Sequence, residues 1–307
     1  MTAAAGPIPI ENEATAESTK TGRPRKGTGP LVHIALVVIM VIWAIPAVGL
    51  LVSSFRTAAD ISQRGWWTTF LPPWNFTLDN YTTVLGKSAM GPAVINSFII
   101  TVPATIIVVL VAAFAAYAFA WMQFRGRDWL FVILVGLLVI PLQVTFVPVI
   151  KLLNTVTDVT GIPILGNVLA LWLAHTGYGL PFAIYLLRNY FGSLPKEVFE
   201  SAAIDGASPA TAFFRLALPM SVPVLASLVI FQFLWTWNDL LVALVYLGVN
   251  PGAQPLSVVL ANSTTSRGGD WQFLTAAAFI SMVVPVAIFL ALQRYFVRGI
   301  TGGAVKG

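Results

Sequence analysis

The chain has 307 residues, of which 57% are hydrophobic and only 9% are charged, and its mean hydropathy is +0.84. Soluble domains carry about 25% charged residues, so most of the surface of this chain must face lipid rather than water. The formal net charge of +5 does not indicate a nucleic-acid-binding protein, because the basic residues lie at the ends of apolar segments. The absence of cysteine excludes disulfides, thiolate metal sites and cysteine nucleophiles.

Six apolar segments are long enough to cross a membrane. A helix that crosses about 30 Å of hydrocarbon needs about 20 residues, at about 1.5 Å each, and a helix satisfies its own backbone hydrogen bonds in lipid. The predicted spans are 31–54, 93–122, 129–150, 166–187, 222–247 and 273–296. The predicted fold is therefore an all-α, polytopic membrane bundle, preceded by a disordered tail over residues 1–30.

The distribution of Lys and Arg predicts the orientation of the chain. Most of these 17 residues lie in the N-terminal tail, after the second span, between the fourth and fifth spans, or near the C-terminal end. Because cytoplasmic segments are enriched in Lys and Arg, both termini are expected in the cytoplasm, including a short tail over residues 300–307. Residues 55–92 then form an exterior loop of a multi-pass inner-membrane protein.

The exterior loop is rich in aromatic side chains, among them Trp66, Trp67, Phe70, Trp74 and Phe76. Rings of this kind prefer the membrane–water boundary, and this interpretation is favoured. The alternative is a docking surface for an extracytoplasmic protein, and the sequence alone does not separate the two.

The segment over residues 189–220, between the fourth and fifth predicted spans, is semi-polar and rich in residues that begin or end helices. Pro195 suits the first turn of a helix, and Glu197 and Glu200 favour its positive, N-terminal end. Gly206 is placed to end the helix in a left-handed conformation, and Ser208 offers an N-cap for a second helix. The sequence therefore predicts a helix–turn–helix elbow outside the membrane.

The predicted elbow has an inner and an outer side. Leu194, Val198, Phe199 and Ala203 are expected to pack on the bundle, while the small residues 207–210 project. A short projecting helix is what a membrane subunit needs in order to transmit force to a cytoplasmic partner.

This segment resembles the EAA signature of ABC importer permeases, which is Glu-Ala-Ala, three residues, Gly, nine residues and Ile-x-Leu-Pro. The chain has Glu200, Ser201 and Ala202, then Gly206, and then Leu-Ala-Leu-Pro at 216–219. Ser for Ala and Leu for Ile are the two departures, and both keep the size or the apolar character of the side chain.

Longer runs resemble the MalG-type permeases of carbohydrate ABC importers, in the group called CUT1. These runs are LPFAIYLLRNYFGSLPKEVFESAAIDGAS, WTWNDLLVALVYL and QRYFVRGITGGAVKG, and the resemblance extends from about residue 80 to the end. GNVLALWLAHTGYGLPF and SRGGDWQFLTAAAFIS are most similar to the α-glucoside branch. The resemblance implies a type I ABC importer permease core over residues 93–299, and an oligosaccharide or α-glucoside cargo such as maltose or trehalose.

The resemblance also implies a heteromeric machine. The chain would pair with a second, MalF-like permease, sit on a dimer of ATP-binding subunits and receive solute from an extracytoplasmic lipoprotein or periplasmic binding protein. ATP and Mg would bind to the ATPase, and this chain would hold no cofactor and no catalytic residue. The implied ATPase-coupling residues are Glu200, Ser201, Ala202, Ala203, Asp205, Gly206, Ala207 and Ser208. Residues 303–307 are implied as a second, weaker contact with the ATPase.

The residues themselves point away from nucleotide or metal binding by this chain. Gly86, Lys87 and Ser88 imitate the end of a P-loop, but Tyr81 stands where the first glycine is needed. The two histidines, His33 and His175, lie far apart in the sequence, and no metal-binding constellation is predicted.

Candidate contacts for the transported solute lie within the predicted spans. Ionisable groups in a span are rare and usually face a cavity or a partner, and Asp239 is the outstanding case. Trp235 stands four residues earlier, so both would lie on one face of a continuous helix, beside Asn238. His175 and Gln143 are further candidates. The alternatives are that Asp239 pairs with the other permease and that His175 is an ordinary interhelical contact.

Two rival classes remain in view. A permease for another solute would share the EAA signature, so that signature alone does not establish a sugar. An ion-coupled secondary transporter is less favoured, because such proteins usually show inverted repeats and several buried charges. Neither feature is evident in this sequence.

Overall fold

The computed structural model describes residues 29–86, 89–248, 250–266 and 270–304. These residues are helical apart from turns, connecting segments and one isolated antiparallel bridge between Arg56 and Phe76. The predicted all-α class is confirmed. The predicted N-terminal tail lies outside the described residues except for Gly29 and Pro30, and so do the last three residues of the predicted C-terminal contact.

Fourteen α-helices occur in the described part of the chain. In order they are α1 (Pro30–Ser54), α2 (Ala58–Gln63), α3 (Asp79–Gly86), α4 (Met90–Trp121), α5 (Arg127–Leu137), α6 (Leu142–Thr160), α7 (Val168–Phe191), α8 (Lys196–Ile204), α9 (Pro209–Ala212), α10 (Leu218–Met220), α11 (Val222–Trp237), α12 (Leu241–Leu247), α13 (Leu256–Ser266) and α14 (Trp271–Ala304). A 3₁₀-helix (Trp66–Phe70) follows α2, and a π-helix (Phe213–Ala217) separates α9 from α10.

Five of the described helices, α1, α4, α6, α7 and α14, are long and apolar enough to cross a membrane. A sixth span results if Pro209–Met220 and Val222–Trp237 are counted together, and these two pieces are bent by 75° where they meet. The chain is therefore a polytopic helical bundle, as predicted from hydropathy. The continuity of two of the predicted spans is wrong.

The predicted span over residues 129–150 is two separate helices. α5 ends at Leu137 after 11 residues, and α6 begins at Leu142, directly after Pro141. Proline has no amide hydrogen to donate and disfavours a helical conformation in the residue before it, which accounts for the interruption. α6 then continues to Thr160, ten residues beyond the predicted end.

The predicted span over residues 222–247 is also interrupted. α11 ends at Trp237, and α12 begins at Leu241 after a break of three residues. No proline or glycine lies in this break, whose residues are Asn238, Asp239 and Leu240. The interruption therefore has a different cause, which lies in the side chain of Asp239 and is described with the site below.

The chain divides into two compact units, residues 1–46 and 47–307. The described part of the first unit is the apolar N-terminal portion of α1. In the second unit α4 packs along α7, and α11 packs against α4 and α14. Small side chains make the α4–α7 approach close, because Ala112 and Ala116 on α4 and Ala183 on α7 are fully buried. Helix interfaces in membranes are enriched in such residues for this reason.

The segment predicted as an exterior loop contains regular secondary structure, because α2, the 3₁₀-helix and α3 occupy much of it. The side chain of Arg56 is buried and donates hydrogen bonds to the carbonyl oxygens of Asp60 and Arg64 at 2.9 and 3.1 Å. Asn80 on α3 donates to the carbonyl oxygens of Ser54 and Arg56, both at 2.8 Å. These bonds join α2 and α3 to the segment that follows α1.

The aromatic side chains of this segment divide into two groups. Trp66 is half-buried, and its indole ring lies against Gly49. Trp67, Phe70 and Trp74 are each about two-thirds exposed. An exposed aromatic surface fits either the membrane boundary or a protein partner, so its role stays a prediction.

Candidate functional site

The predicted elbow is present, and the end of its first helix follows from Gly206. This glycine has a φ of +79°, which residues with a side chain rarely adopt. The amide of Ala207 donates to the carbonyl of Ala202 at 2.9 Å, and the amide of Gly206 donates to Ala203 at 3.0 Å. This pair of bonds is a Schellman motif, in which a left-handed residue satisfies the last carbonyls of a helix.

The second part of the elbow begins at once. Ser208 is the N-cap of α9, and its hydroxyl accepts a hydrogen bond from the amide of Thr211 at 3.2 Å. The chain then passes through the π-helix and α10, and it turns into α11 after Ser221. The predicted cap and the predicted second helix are confirmed. The π-helix within that second helix was not predicted.

The elbow is held to the bundle by an aromatic stack. The ring of Phe199 on α8 lies 4.0 Å from that of Trp121 at the end of α4, with an interplanar angle of 21°. The indole N–H of Trp121 donates to the carbonyl of Phe191 on α7 at 3.1 Å. One tryptophan therefore joins α4, α7 and α8.

The predicted inner face of the elbow is only half right. Leu194 and Phe199 are buried, as expected, but Val198 and Ala203 are exposed. Val198 is next to Phe199 in the sequence and therefore faces another side of the helix, whereas Ala203 lies one turn after Phe199 on the same side but is not covered by the bundle. The short helix thus presents a single anchoring side chain to the bundle rather than a stripe. The inner face is therefore narrower than predicted.

The residues implied in ATPase coupling lie mostly on the free surface of the elbow. Six are exposed and two are partly buried. The exposed ones are Glu200, Ser201, Ala203, Asp205, Gly206 and Ser208, and the partly buried ones are Ala202 and Ala207. Ile204 is 87% exposed, although isoleucine is usually buried. The elbow thus presents both acidic and apolar groups outward.

Asp239 lies in the break between α11 and α12, and its carboxylate caps the start of α12. It accepts hydrogen bonds from the amides of Ala243 and Val242, at 3.1 and 3.4 Å. The first amides of a helix have no partner within that helix, and a carboxylate is well suited to the positive end. The expectation that Trp235 and Asp239 share one face of a continuous helix is wrong, because α11 ends at Trp237.

His175 nevertheless brings these two residues together. Its Nε2 lies 3.7 Å from a carboxylate oxygen of Asp239, and its ring meets that of Trp235 edge-on, with centroids 5.7 Å apart. The imidazole is almost completely buried, and its Nδ1 has no hydrogen-bond partner among the described residues. Three of the predicted path residues thus form one cluster across α7 and the α11–α12 break.

The other two predicted path residues lie elsewhere. Asn238 donates from its side chain back to the carbonyl of Leu234 at 2.8 Å, and it lines a separate cavity with Ser257 and Ser281. Gln143 is exposed on the first turn of α6. No hydrogen bond joins either side chain to the His175 cluster in the described part of the chain.

Two polar residues near the cluster were missed in the sequence. Tyr178 shares a hydrogen bond of 2.6 Å with the hydroxyl of Tyr246, and its hydroxyl also accepts from Thr145 at 2.9 Å. Gln232 is buried on α11. Helical spacing could have indicated both, because Gln232 precedes Trp235 by three residues and Tyr178 follows His175 by three.

Residues 108–302 match the family described as binding-protein-dependent transport system inner membrane component. The chain belongs to this family. It is therefore a multi-pass inner-membrane permease, a non-catalytic subunit of a binding-protein-dependent ABC transporter, and its predicted membership is confirmed.

Individual relatives cover nearly the whole chain. The permease is 52% identical to the osmoprotective compounds uptake permease protein GgtD of Synechocystis sp., over 90% of this chain and 91% of that protein. It is also 52% identical to the alpha-glucoside transport system permease protein AglG of Rhizobium meliloti, over 84% of this chain and 67% of AglG.

A solved structure shows the same fold. It is that of a bacterial ABC transporter involved in the import of the acidic polysaccharide alginate, and it matches with a TM-score of 0.71 at 21% identity. The match covers 87% of the permease and 95% of the other chain. At this identity the likeness supports the fold, which is that of an ABC importer permease.

The capping role of Asp239 can be tested by two substitutions. Asp239→Ala removes the acceptor for two amides of α12, so it is expected to lower the stability of the folded permease by about 0.5–2 kcal/mol. Asp239→Asn keeps one acceptor oxygen and is expected to lose less. Thermal unfolding of the purified permease in detergent measures both.

Asn238→Ala is the matched control, because the side chain of Asn238 bonds within α11 and leaves α12 untouched. It is expected to unfold close to the wild-type temperature. If Asp239→Ala were as stable as the wild type yet failed to transport, Asp239 would be a solute contact and the capping interpretation would be wrong.

Proposed function

We propose that this permease is the MalG-type subunit of an ATP-driven importer for sugars of the α-glucoside class. The observation that carries the proposal is the exposed EAA elbow, built by Gly206 and Ser208, in a chain 52% identical to an alpha-glucoside permease. The elbow offers an exposed contact surface for an ATPase. The alpha-glucoside permease AglG indicates the class of solute.

Two relatives of equal identity carry different descriptions of cargo, namely osmoprotective compounds and alpha-glucosides. Trehalose satisfies both, since it is an α-glucoside that protects cells against osmotic stress. Trehalose and maltose are therefore the sugars to be tried first. Their relative uptake distinguishes a narrow trehalose importer from a general α-glucoside importer.

The proposed orientation places both termini and the elbow in the cytoplasm. Because Phe199 stacks on Trp121, the elbow lies at the same end of the bundle as Arg125, in the turn after α4, and Arg127, the first residue of α5. Lys196 lies on the elbow itself, and Arg188 lies one turn before the end of α7. A concentration of basic residues at one end of the bundle supports the proposal that this end is cytoplasmic.

In the assembled importer the elbow occupies a groove of one ATP-binding subunit, while the second, MalF-like permease offers its own elbow to the other. ATP and Mg would be held by the ATP-binding subunits, not by this chain. When ATP draws the ATPase dimer together, the two elbows approach each other and the transport path turns outward. Hydrolysis reverses the movement. An extracytoplasmic binding protein delivers the sugar to the outward-facing path.

Two connections carry this movement into the bundle. α8 contacts the end of α4 through Phe199 and Trp121, and the π-helix and α10 lead through the 75° bend into α11. α4 and α11 pack against each other, and α11 carries Trp235. A displacement of the elbow therefore reaches the helices that carry the solute-path candidates. Trp235 is the path residue in this account, and His175 and Asp239 hold it in place.

Co-purification tests the proposed function most simply. The permease is co-expressed with its candidate second permease and ATPase, and the complex is reconstituted in liposomes with the solute-binding protein. A stoichiometric complex that takes up labelled trehalose or maltose only when ATP is supplied supports the proposal. A permease that purifies alone and transports without ATP would show that it is a secondary carrier.

The elbow generates a separate prediction. Gly206→Val places a β-branched residue at a φ of +79°, which is strained by about 1–2 kcal/mol and shifts the turn. We expect the variant to insert and to assemble, but to lose about tenfold or more of its ATP-driven uptake. Uptake and ATP hydrolysis are measured on the same reconstituted sample.

Gly206→Asn is the matched control, because asparagine tolerates the left-handed conformation better than other residues with a side chain. It should keep most of the uptake. Normal uptake and normal sugar-stimulated ATP hydrolysis in Gly206→Val would remove the elbow from the coupling mechanism.

A further inference from the structure

A cavity of about 320 Å³ lies between α7 and α11, on the side of the bundle that carries Trp235. Its lining is mostly aromatic and aliphatic, and it includes Tyr178, Gly179, Phe182 and Gln232. None of the described lining side chains carries a formal charge. The volume is at the lower end of the range of about 300–1,000 Å³ for small-molecule sites, which combine an apolar lining with a few polar groups. The cavity therefore suits a small neutral solute.

Gln232 is the polar group with unused hydrogen-bonding capacity in this lining. Only 5% of the residue is exposed, and its amide nitrogen donates to the hydroxyl of Thr236 at 3.2 Å. Its amide oxygen accepts no hydrogen bond from the described residues. The hydroxyl of Tyr178, by contrast, already has two partners, Thr145 and Tyr246. This oxygen is not one of the fully buried polar atoms that lack a partner, so it is accessible from the cavity that Gln232 lines. A ligand hydroxyl in the cavity would therefore find an acceptor there.

Gly179 allows Gln232 to hold this position. A Cβ atom at residue 179 would lie 2.7 Å from the amide oxygen and 3.1 Å from the amide nitrogen of Gln232. Any side chain at that position would therefore displace the amide. Gly177, two residues earlier on the same helix, has nothing within 4 Å of the corresponding Cβ position. The close approach is thus specific to Gly179.

Trp235 supplies a fixed aromatic surface beside the amide. It is 40% exposed, and its indole is braced by the imidazole of His175 at an interplanar angle of 86°. His175 in turn lies beside the carboxylate of Asp239. An aromatic ring next to a hydrogen-bond acceptor matches a pyranose, which has an apolar face and a rim of hydroxyl groups.

We propose that this cavity is a sugar-binding station on the transport path of the permease. Trp235 contacts the apolar face of one sugar ring, the amide oxygen of Gln232 accepts a hydrogen bond from one of its hydroxyl groups, and Gly179 is the residue that positions Gln232. The inference rests on the proposed import of α-glucosides. It adds a defined contact site on the MalG-type subunit and separates the residues that touch the sugar from those that hold them.

The test uses the complete importer in liposomes, with trehalose as the probe and with the binding protein saturated, so that the affinity of the binding protein does not set the rate. The quantity measured is the number of sugar molecules taken up per ATP hydrolysed. Gln232→Leu keeps the approximate size of the side chain but removes the amide, and Gly179→Ala displaces the amide without altering it. Both should lower this number by about 3- to 10-fold, which corresponds to one hydrogen bond.

Gly177→Ala is the control, since it makes the same change on the same helix where there is open space. It should keep the wild-type ratio. A second readout uses monodeoxy trehalose analogues. The wild type should transport one of them several-fold less well than trehalose, and Gln232→Leu should lose that discrimination, whereas a purely structural role for Gln232 would slow all analogues equally.

The two possible failures are distinguishable. If the wild-type complex does not assemble or does not take up sugar with ATP, the proposed function fails and the station is wrong with it. If the wild type transports normally while Gln232→Leu and Gly179→Ala keep the wild-type ratio and discrimination, the importer stands and the station is overturned.

Discussion

When a helix is interrupted inside an apolar bundle, the first amides of the helix that follows the break have no partners. This constraint governs the centre of the permease. Asp239 meets it with one carboxylate, which caps α12 and at the same time lies beside His175. Because water is scarce in such a setting, an amide without a hydrogen-bond partner is energetically unfavourable. The carboxylate permits the break between α11 and α12 because it accepts hydrogen bonds from the first amides of α12. His175 braces Trp235, and the position of the aromatic surface in the α7–α11 cavity therefore depends on the same carboxylate.

The two functional regions share their helices. The EAA elbow is attached at one end through Trp121, which contacts α8 and α7 from the end of α4. Its other end continues through a π-helix and a 75° bend into α11. A π-helix is a common feature of functional sites, because it interrupts the regular hydrogen-bond pattern of the α-helix. α11 thus begins at the elbow and ends at the cavity, which gives a direct structural route between the proposed ATPase contact and the proposed sugar station.

The elbow was predictable from the sequence because its geometry depends on local chemistry. A left-handed residue and an N-cap are specified by Gly206 and Ser208 within a few positions, and both appear as expected.

The two helix breaks were not predictable from hydropathy, since an interrupted span is as apolar as a continuous one. Pro141 was a usable signal for the first break. The second depends on how Asp239 folds back onto α12, and the grouping of His175 with Trp235 depends on the packing of α7 against α11. Such contacts join residues distant in sequence, so spacing alone could not reveal Gln232 as a neighbour of Gly179.

The proposed coupling depends on contact between the elbow and an ATPase on the cytoplasmic side. Site-specific photocrosslinking in the assembled importer tests it most directly, with the reactive group placed at Ile204, which is 87% exposed. Phe70 in the exterior segment, 67% exposed, is the control position. The account predicts a crosslink from residue 204 to the ATP-binding subunit and none from residue 70. A crosslink from residue 204 to the extracytoplasmic binding protein, or its absence in a transporting complex, would contradict the account.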